Sequence, residues 1–285
     1  MSDKKYKYVV VSGCSFSASD AENTPRPGET YGDVVANHFG GKCYNLARSG
    51  GSLPHMQRVV MKWCSKNLEK WKDTLIILGL TSINRMEIWN NKAYNILKEN
   101  SNWTDEKFPT FKSGDTEIPV IDHQSGPWYG NFGQALQIPS DPIHHYNWLH
   151  TYPFINEWTD KERKNYFINF YNDHAQFLLS TQIIIGLQSF FKLNDIDYIF
   201  FDAISADMDR YWREYCSDDK EDKLGHKLLF DTLVTQENWF IHPKYRHLND
   251  LTASDETMRF SKTDMHPNKK AHKYWGECLL EYIKS

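Results

Sequence analysis

The sequence predicts an α/β protein, a three-layer α/β/α sandwich on a mainly parallel sheet with a large insertion, and three observations predict it. Apolar runs at 6–12, 42–47 and 73–80 alternate with segments whose apolar residues recur at helical spacing. Each run ends in a cluster of Gly, Ser, Thr or Asn, the composition of a loop at a strand's carboxyl edge. After a long interruption the pattern resumes, with DYIFFDA at 197–203 and an amphipathic segment near the C-terminus. Alternation of this kind favours parallel pairing, because parallel strands are joined by helical crossovers.

YKYVVVS (6–12) reads as a buried strand, and TYGDVVANHF (Thr30 to Phe39) as a short helix ended by Gly40-Gly41. KCYNLA (42–47) is a second short strand. Leu53 to Trp71 is spaced as a helix, and DTLIILGL (73–80) returns as an apolar strand. From about Met86 to Thr159 the periodicity dissolves into Trp, Asn, Pro and Gly, predicting an insertion at about 86–160 that packs over the sheet's upper edge of a single 1–285 domain. A helix follows from an N-cap at Thr159 or Asp160 to about Lys192, in one piece or in two joined near Ser180. Residues 197–203 form a fourth strand. Pro267 to Ile283 closes the chain as an amphipathic helix with Pro267 in its first turn.

Composition bounds the function. The 285 residues carry a formal net charge of -4, which argues against a polyanionic partner, so no nucleic acid is expected. Aromatic residues reach 15%, suited to a core, a cleft or an interface. Cysteines at 14, 43, 64, 216 and 278 are odd in number and scattered, which suits free thiols in a reducing compartment. No run matches a signal peptide's apolar region or a membrane span, so the expectation is a soluble cytoplasmic protein, with later assembly into a larger particle left open.

The chemistry gathers at the strand ends. VVVSGCSFS (9–17) places Ser15 where a strand turns toward a helix and backbone N–H groups face outward; the same residues also suit a plain cap or turn. NLARSGGS (45–52) offers Gly50 or Gly51 as a backbone donor, or simply a glycine loop. GLTSINR (79–85) presents Thr81, Ser82 and Asn84 as side-chain donors and Arg85 as a cation, or else a helix N-cap at Thr81 or Ser82. TDMHPN (263–268) holds Asp264 and His266, an acid and an imidazole able to serve a serine nucleophile. His144, His145 and His150 near Asp141 lack metal-ligand spacing, so no metal and no cofactor is expected. Trp128-Tyr129, Tyr146–Trp148 and Trp239-Phe240 are suited to core packing or to stacking on sugar rings.

In this order the four blocks resemble those of the SGNH hydrolases, the GDSL esterase and lipase superfamily, over residues 6–85 and 257–283. The resemblance implies the flavodoxin-like SGNH fold, Ser15 as nucleophile and as an oxyanion donor through its amide, and Gly50 as the second donor. The family's Gly-x-Asn-Asp block stands here as Gly79-Leu80-Thr81-Ser82, leaving Thr81 or Asn84 to replace the oxyanion Asn. Its Asp-x-x-His block is shifted, with Thr263 three residues before His266 and Asp264 two before. The Gly-Cys-Ser-Phe start, and a His-Pro-Asn followed by His272 and Trp275, are similar to divergent bacteriophage and bacterial forms, for which virion association is an alternative location.

The activity implied is ester hydrolysis by Ser15, His266 and Asp264 through an acyl-enzyme, acting on a small-molecule or carbohydrate ester and preferably removing an acetyl or other short acyl group from a sugar. Arg85, Trp128 and Tyr129 are the expected substrate contacts. The substituted third block also fits a catalytically weak binding or structural module, and the same triad fits acyl transfer.

Overall fold

The computed structural model describes residues 5–19, 24–83, 85–86, 110–113, 116–119, 136–137, 172–204, 208–216 and 221–284. Strand β1 (Tyr8–Ser12) is followed by helix α1 (Tyr31–Phe39), β2 (Lys42–Asn45), α2 (Leu53–Lys66), a 3-10 turn (Leu68–Asp73) and β3 (Thr74–Leu80). Two short antiparallel pairs come next. β4 (Arg85–Met86) pairs with β7 (Leu136–Gln137), and β5 (Thr110–Ser113) with β6 (Thr116–Pro119). The chain ends with α3 (Asp173–Leu193), β8 (Asp197–Asp202), α4 (Met208–Tyr215), α5 (His226–Leu233), α6 (Leu248–Ser254), a 3-10 turn (Glu256–Met258) and α7 (Lys269–Lys284).

The main sheet is parallel, in the order β2-β1-β3-β8. From β1 the chain crosses first to one side, to β2, and then to the other, to β3. The order therefore reverses between β1 and β3, and in such sheets the crevice that receives a ligand lies outside the carboxyl ends at that reversal. β1 and β3 are the central strands. Every residue of β3 is buried, as expected of a strand covered on both faces.

Successive side chains divide between two cores. Val10, Ile76, Leu78, Tyr198 and Phe200 face α2 and α3, while Val9, Val11, Leu75, Ile77, Ile199 and Phe201 face α1 and α7. These are the three layers expected from the sequence. The outer edge of β8 is covered: Phe200 N donates to Asn238 O at 2.9 Å, and Phe240 N donates to Phe200 O at 2.7 Å. Backbone groups that would otherwise be left open are thereby satisfied.

Several boundaries differ from the sequence reading. The helix predicted to reach Trp71 ends at Lys66, where Asn67 (φ -137) leaves helical geometry and its side chain bonds back to Trp63 O at 2.8 Å. α3 is uninterrupted through Ser180, so it is one helix, and Asn172 caps it through the Ala175 amide at 3.0 Å. The N-cap expected at Thr159 or Asp160 lies outside the described residues. Pro267 precedes α7 instead of starting it, because Asn268 Oδ1 accepts from the Lys270 and Ala271 amides at 2.9 and 3.1 Å and so caps the helix. Most of the expected insertion, with Trp128, Tyr129, Tyr146–Trp148 and the histidines at 144, 145 and 150, is also outside the described residues. No helix among the described residues is long and apolar enough to cross a membrane.

Candidate active site

At the end of β1 the chain makes a tight turn in which the Ser17 and Ala18 amides both donate to Cys14 O, at 2.8 and 3.0 Å. Ser15 therefore sits in the turn expected at the end of this strand, and no helix begins directly behind it. Small residues are needed here for steric reasons. A Cβ at Gly13 would lie 2.3 Å from Ser17 Oγ and 2.9 Å from Gly79 O, and one at Gly79 would lie 2.6 Å from Ser17 Oγ. The glycines let the ends of β1 and β3 close together beneath the Ser15 turn, at the reversal point of the sheet.

The loop after β2 is fastened to this turn. Asn45 Nδ2 donates to Ser17 O at 2.8 Å while its Oδ1 accepts from the Ala47 amide at 3.0 Å. The Arg48 amide donates to Gly13 O at 3.3 Å, and a Cβ at Gly51 would meet that same Gly13 O at 2.6 Å. Gly50 has φ 76, a conformation that glycine adopts without cost. The Gly51 amide is committed to Arg48 O at 2.9 Å, whereas no carbonyl among the described residues accepts from the Gly50 or Ser15 amides. Gly50 is thus the glycine of the pair with a donor to offer.

Beyond β3 no helix begins at Thr81 or Ser82. The chain turns, the Arg85 amide bonding Ser82 O at 3.1 Å, and enters β4. Thr81 is fully buried, and its hydroxyl has no hydrogen-bond partner among the described residues. Asn84 lies outside the described residues. Arg85 is buried, with Nη1 donating to Gly51 O at 3.3 Å.

The fourth loop arrives from the far end of the sequence. Between the 3-10 turn at 256–258 and α7 it folds on itself: Phe260 N donates to His266 O at 2.8 Å, and Asn268 N donates to Met258 O at 2.9 Å. The Arg259 guanidinium ties it to the end of α6 through Thr252 O (2.7 Å) and Ala253 O (3.0 Å). Asn268 Nδ2 adds bonds to Thr257 O and Arg259 O at 2.9 and 2.7 Å. Nothing in the sequence singled out Arg259; Asn45 and Asn268 stand inside the quoted blocks, but their roles are visible only in three dimensions.

Held this way, His266 Nε2 lies 2.8 Å from Ser15 Oγ, across 251 positions of sequence. Its Nδ1 lies 2.5 Å from Asp264 Oδ1, and the same oxygen accepts the His266 amide at 2.9 Å. An ionised carboxylate only accepts, so Nδ1 carries the hydrogen and Nε2 presents its lone pair to the serine hydroxyl. The double use of Oδ1 is what makes an acid two residues before the histidine suffice: the chain curls so that one oxygen reaches both backbone and ring. Phe16 packs on the imidazole with ring centroids 5.2 Å apart. The arrangement can act as a hydroxyl, a base and an orienting acid, and the Ser15 and Gly50 amides donate to no carbonyl among the described residues.

His272 and Trp275 belong to the core. His272 Nδ1 accepts from the Tyr31 amide at 3.3 Å, and burial pushes its pKa down to about 3, so the ring is neutral. Trp275 packs 5.5 Å from both Phe201 and Phe240. Trp239 and Phe240 are buried and line a cleft of about 200 Å³ at the carboxyl end of β8, together with Asp202, Asp209, Gln236 and Arg246. Among the described residues, no group of three or more His, Cys, Asp or Glu side chains is placed to hold a metal ion.

No protein-family model matches the chain, and no curated protein sequence matches it. Among solved structures it is similar to the psychrotrophic esterase EstA from Pseudoalteromonas sp., at 10% identity over 98% of this chain and 97% of that one, with a TM-score of 0.44. It is also similar to the acetyl xylan esterase Est2A from the rumen bacterium Butyrivibrio proteoclasticus, at 11% identity over 100% of this chain and 64% of that one, with a TM-score of 0.41. At these levels neither neighbour assigns a role to any residue of this chain.

Proposed function

We propose that this protein is a serine ester hydrolase of the SGNH type. The observation that carries the reading is the 2.8 Å contact between His266 Nε2 and Ser15 Oγ at the reversal point of the sheet. Ser15 Oγ attacks the acyl carbonyl as His266 Nε2 takes its proton, and Asp264 holds the ring and stabilises the imidazolium that forms. The carbonyl oxygen, now negative, is met by the amides of Ser15 and Gly50, with Thr81 or Asn84 as the side-chain donor; such donors are each worth about a hundredfold to a thousandfold in turnover. The tetrahedral intermediate collapses, the alcohol leaves with the proton from His266, and water, activated by the same base, releases the acid.

A short acyl group on a carbohydrate is the proposed substrate class. The cleft at the carboxyl end of β8, two strands from β1, supports it: Trp239 and Phe240 line it beside Asp202, Gln236 and Arg246, a mixture of aromatic and polar groups suited to a hydroxyl-rich ring, although none of Ser15, Gly50 and His266 lines it. The test is release of 4-nitrophenol from 4-nitrophenyl acetate by wild type and by Ser15→Ala, alongside acetate release from acetylated sugars. Wild-type turnover at the Ser15→Ala background on every ester would overturn the proposal.

A further inference from the structure

Resting on the esterase reading, we infer that Arg85 receives an anionic group of the substrate, so that the ester cleaved at Ser15 carries a carboxylate or phosphate close to the scissile bond. The guanidinium cannot discharge itself as a buried lysine or histidine can. Arg85 is only 7% exposed, yet among the described residues its hydrogen bond is the long one to Gly51 O, 3.3 Å, and Nε is buried with no partner. A buried cation that meets one neutral carbonyl among the described residues is costly until an anion joins it.

The position says where that anion goes. Gly51 follows Gly50 directly and abuts Gly13 O, so Arg85 reaches the site from β3 on the side of the Gly50 loop. The described residues of the loops after β1, β2 and β3, 13–19, 46–52 and 81–86, include Arg48 and Arg85 and no Asp or Glu; the fourth strand, β8, ends in Asp202, opposite Leu80. The carboxylate of the constellation, Asp264, is engaged with His266. An oxyanion exists only during the reaction and is served by neutral amides. A permanent charge on the substrate compensates a permanent buried cation already in the bound complex.

The experiment uses two matched pairs of esters. On the acyl side these are 4-nitrophenyl butyrate and mono-4-nitrophenyl glutarate; on the alcohol side, O-acetyl galactose and O-acetyl galacturonate. Wild type is expected to prefer the charged member of one pair, and that pair identifies the side on which the anion sits. Arg85→Gln should lower kcat/KM for that ester by about ten- to a hundredfold, the usual worth of a charge-assisted hydrogen bond, and change its neutral partner by less than about threefold. Arg85→Lys should keep most of the preference. An equal fall on charged and neutral members would overturn the inference and place Arg85 among the oxyanion donors or the supports of the Gly51 loop. If Arg85→Gln does not fold, wild type decides: absence of charge preference, with no competition from free glutarate or galacturonate, overturns it. Turnover of all four esters at the Ser15→Ala background would instead remove the esterase reading, and this inference with it.

Discussion

Replacing Asp264 by Asn separates two duties that a catalytic acid usually performs together. Asp264 Oδ1 accepts from both the His266 amide and the ring Nδ1. In Asp264→Asn the backbone N–H is a fixed donor and will not face an NH₂ group, so the amide oxygen stays in place and the ring keeps its orientation and tautomer. Only the charge is lost. Two unit charges about 4 Å apart interact by about 4 kcal/mol at an effective dielectric of ~20. The His266 and Asp264 side chains are 26% and 27% exposed, so solvent screening reduces this to about 2 kcal/mol, or about thirtyfold in kcat. Asp264→Ala removes the orienting bond as well and should cost about a further tenfold or more. Steady-state kinetics on a chromogenic acetate ester, with His266→Ala as the floor, reads both. If Asn is as damaging as Ala, the backbone does not fix Oδ1 and the argument fails; if Asn is harmless, the carboxylate charge is not used.

Three other outcomes follow from the packing. Gly50→Ala puts a Cβ at φ 76, which should cost about 1 kcal/mol and lower Tm by about 2–4 °C, while displacing the amide and reducing turnover by about tenfold to a hundredfold. Gly276→Ala places a methyl 2.7 Å from Val34 Cβ and 3.1 Å from Tyr31 O, where α7 crosses α1, and should cost about 1–3 kcal/mol in denaturant melts with kcat unchanged. His272 has its pKa lowered from 6.5 to about 3 by burial, so below about pH 6.5 the unfolded chain binds a proton that the folded chain refuses. Stability should therefore fall as pH drops from about 6.5 toward 3, and His272→Gln, which keeps an acceptor for the Tyr31 amide and does not titrate, should show a smaller loss between pH 7 and pH 5 in urea melts.

The central architecture was legible because burial on both faces leaves its mark residue by residue. VVV in β1, TLIILGL in β3 and DYIFFD in β8 are continuous apolar runs because helices cover both sides of the sheet. Gly40-Gly41 marked the end of α1, where Gly40 is left-handed, whereas the capping box that Thr30 and Asp33 form at its start was not anticipated. The boundary at Asn67 was hidden because the apolar spacing of Leu68 and Trp71 continues in phase past the break. The helices at 208–215, 226–233 and 248–254 were not anticipated, being too short for periodicity to stand out. Of the site, the residue types at each strand end were readable, and their convergence was expected only through the resemblance of the four blocks. That Asp264 serves from two positions before His266, and that Arg259 and Asn268 hold their loop, depends on hydrogen bonds to backbone atoms that leave no trace in residue spacing.

The proposed hydrolysis requires a hydroxyl at Ser15 made nucleophilic by His266. Incubation with a fluorophosphonate, followed by peptide mass spectrometry, tests this without knowledge of the natural ester. A single adduct on Ser15, lost in Ser15→Ala and slowed by about a hundredfold or more in His266→Ala, is the predicted result. An unlabelled Ser15 in folded wild type, or labelling that is indifferent to His266, would contradict it.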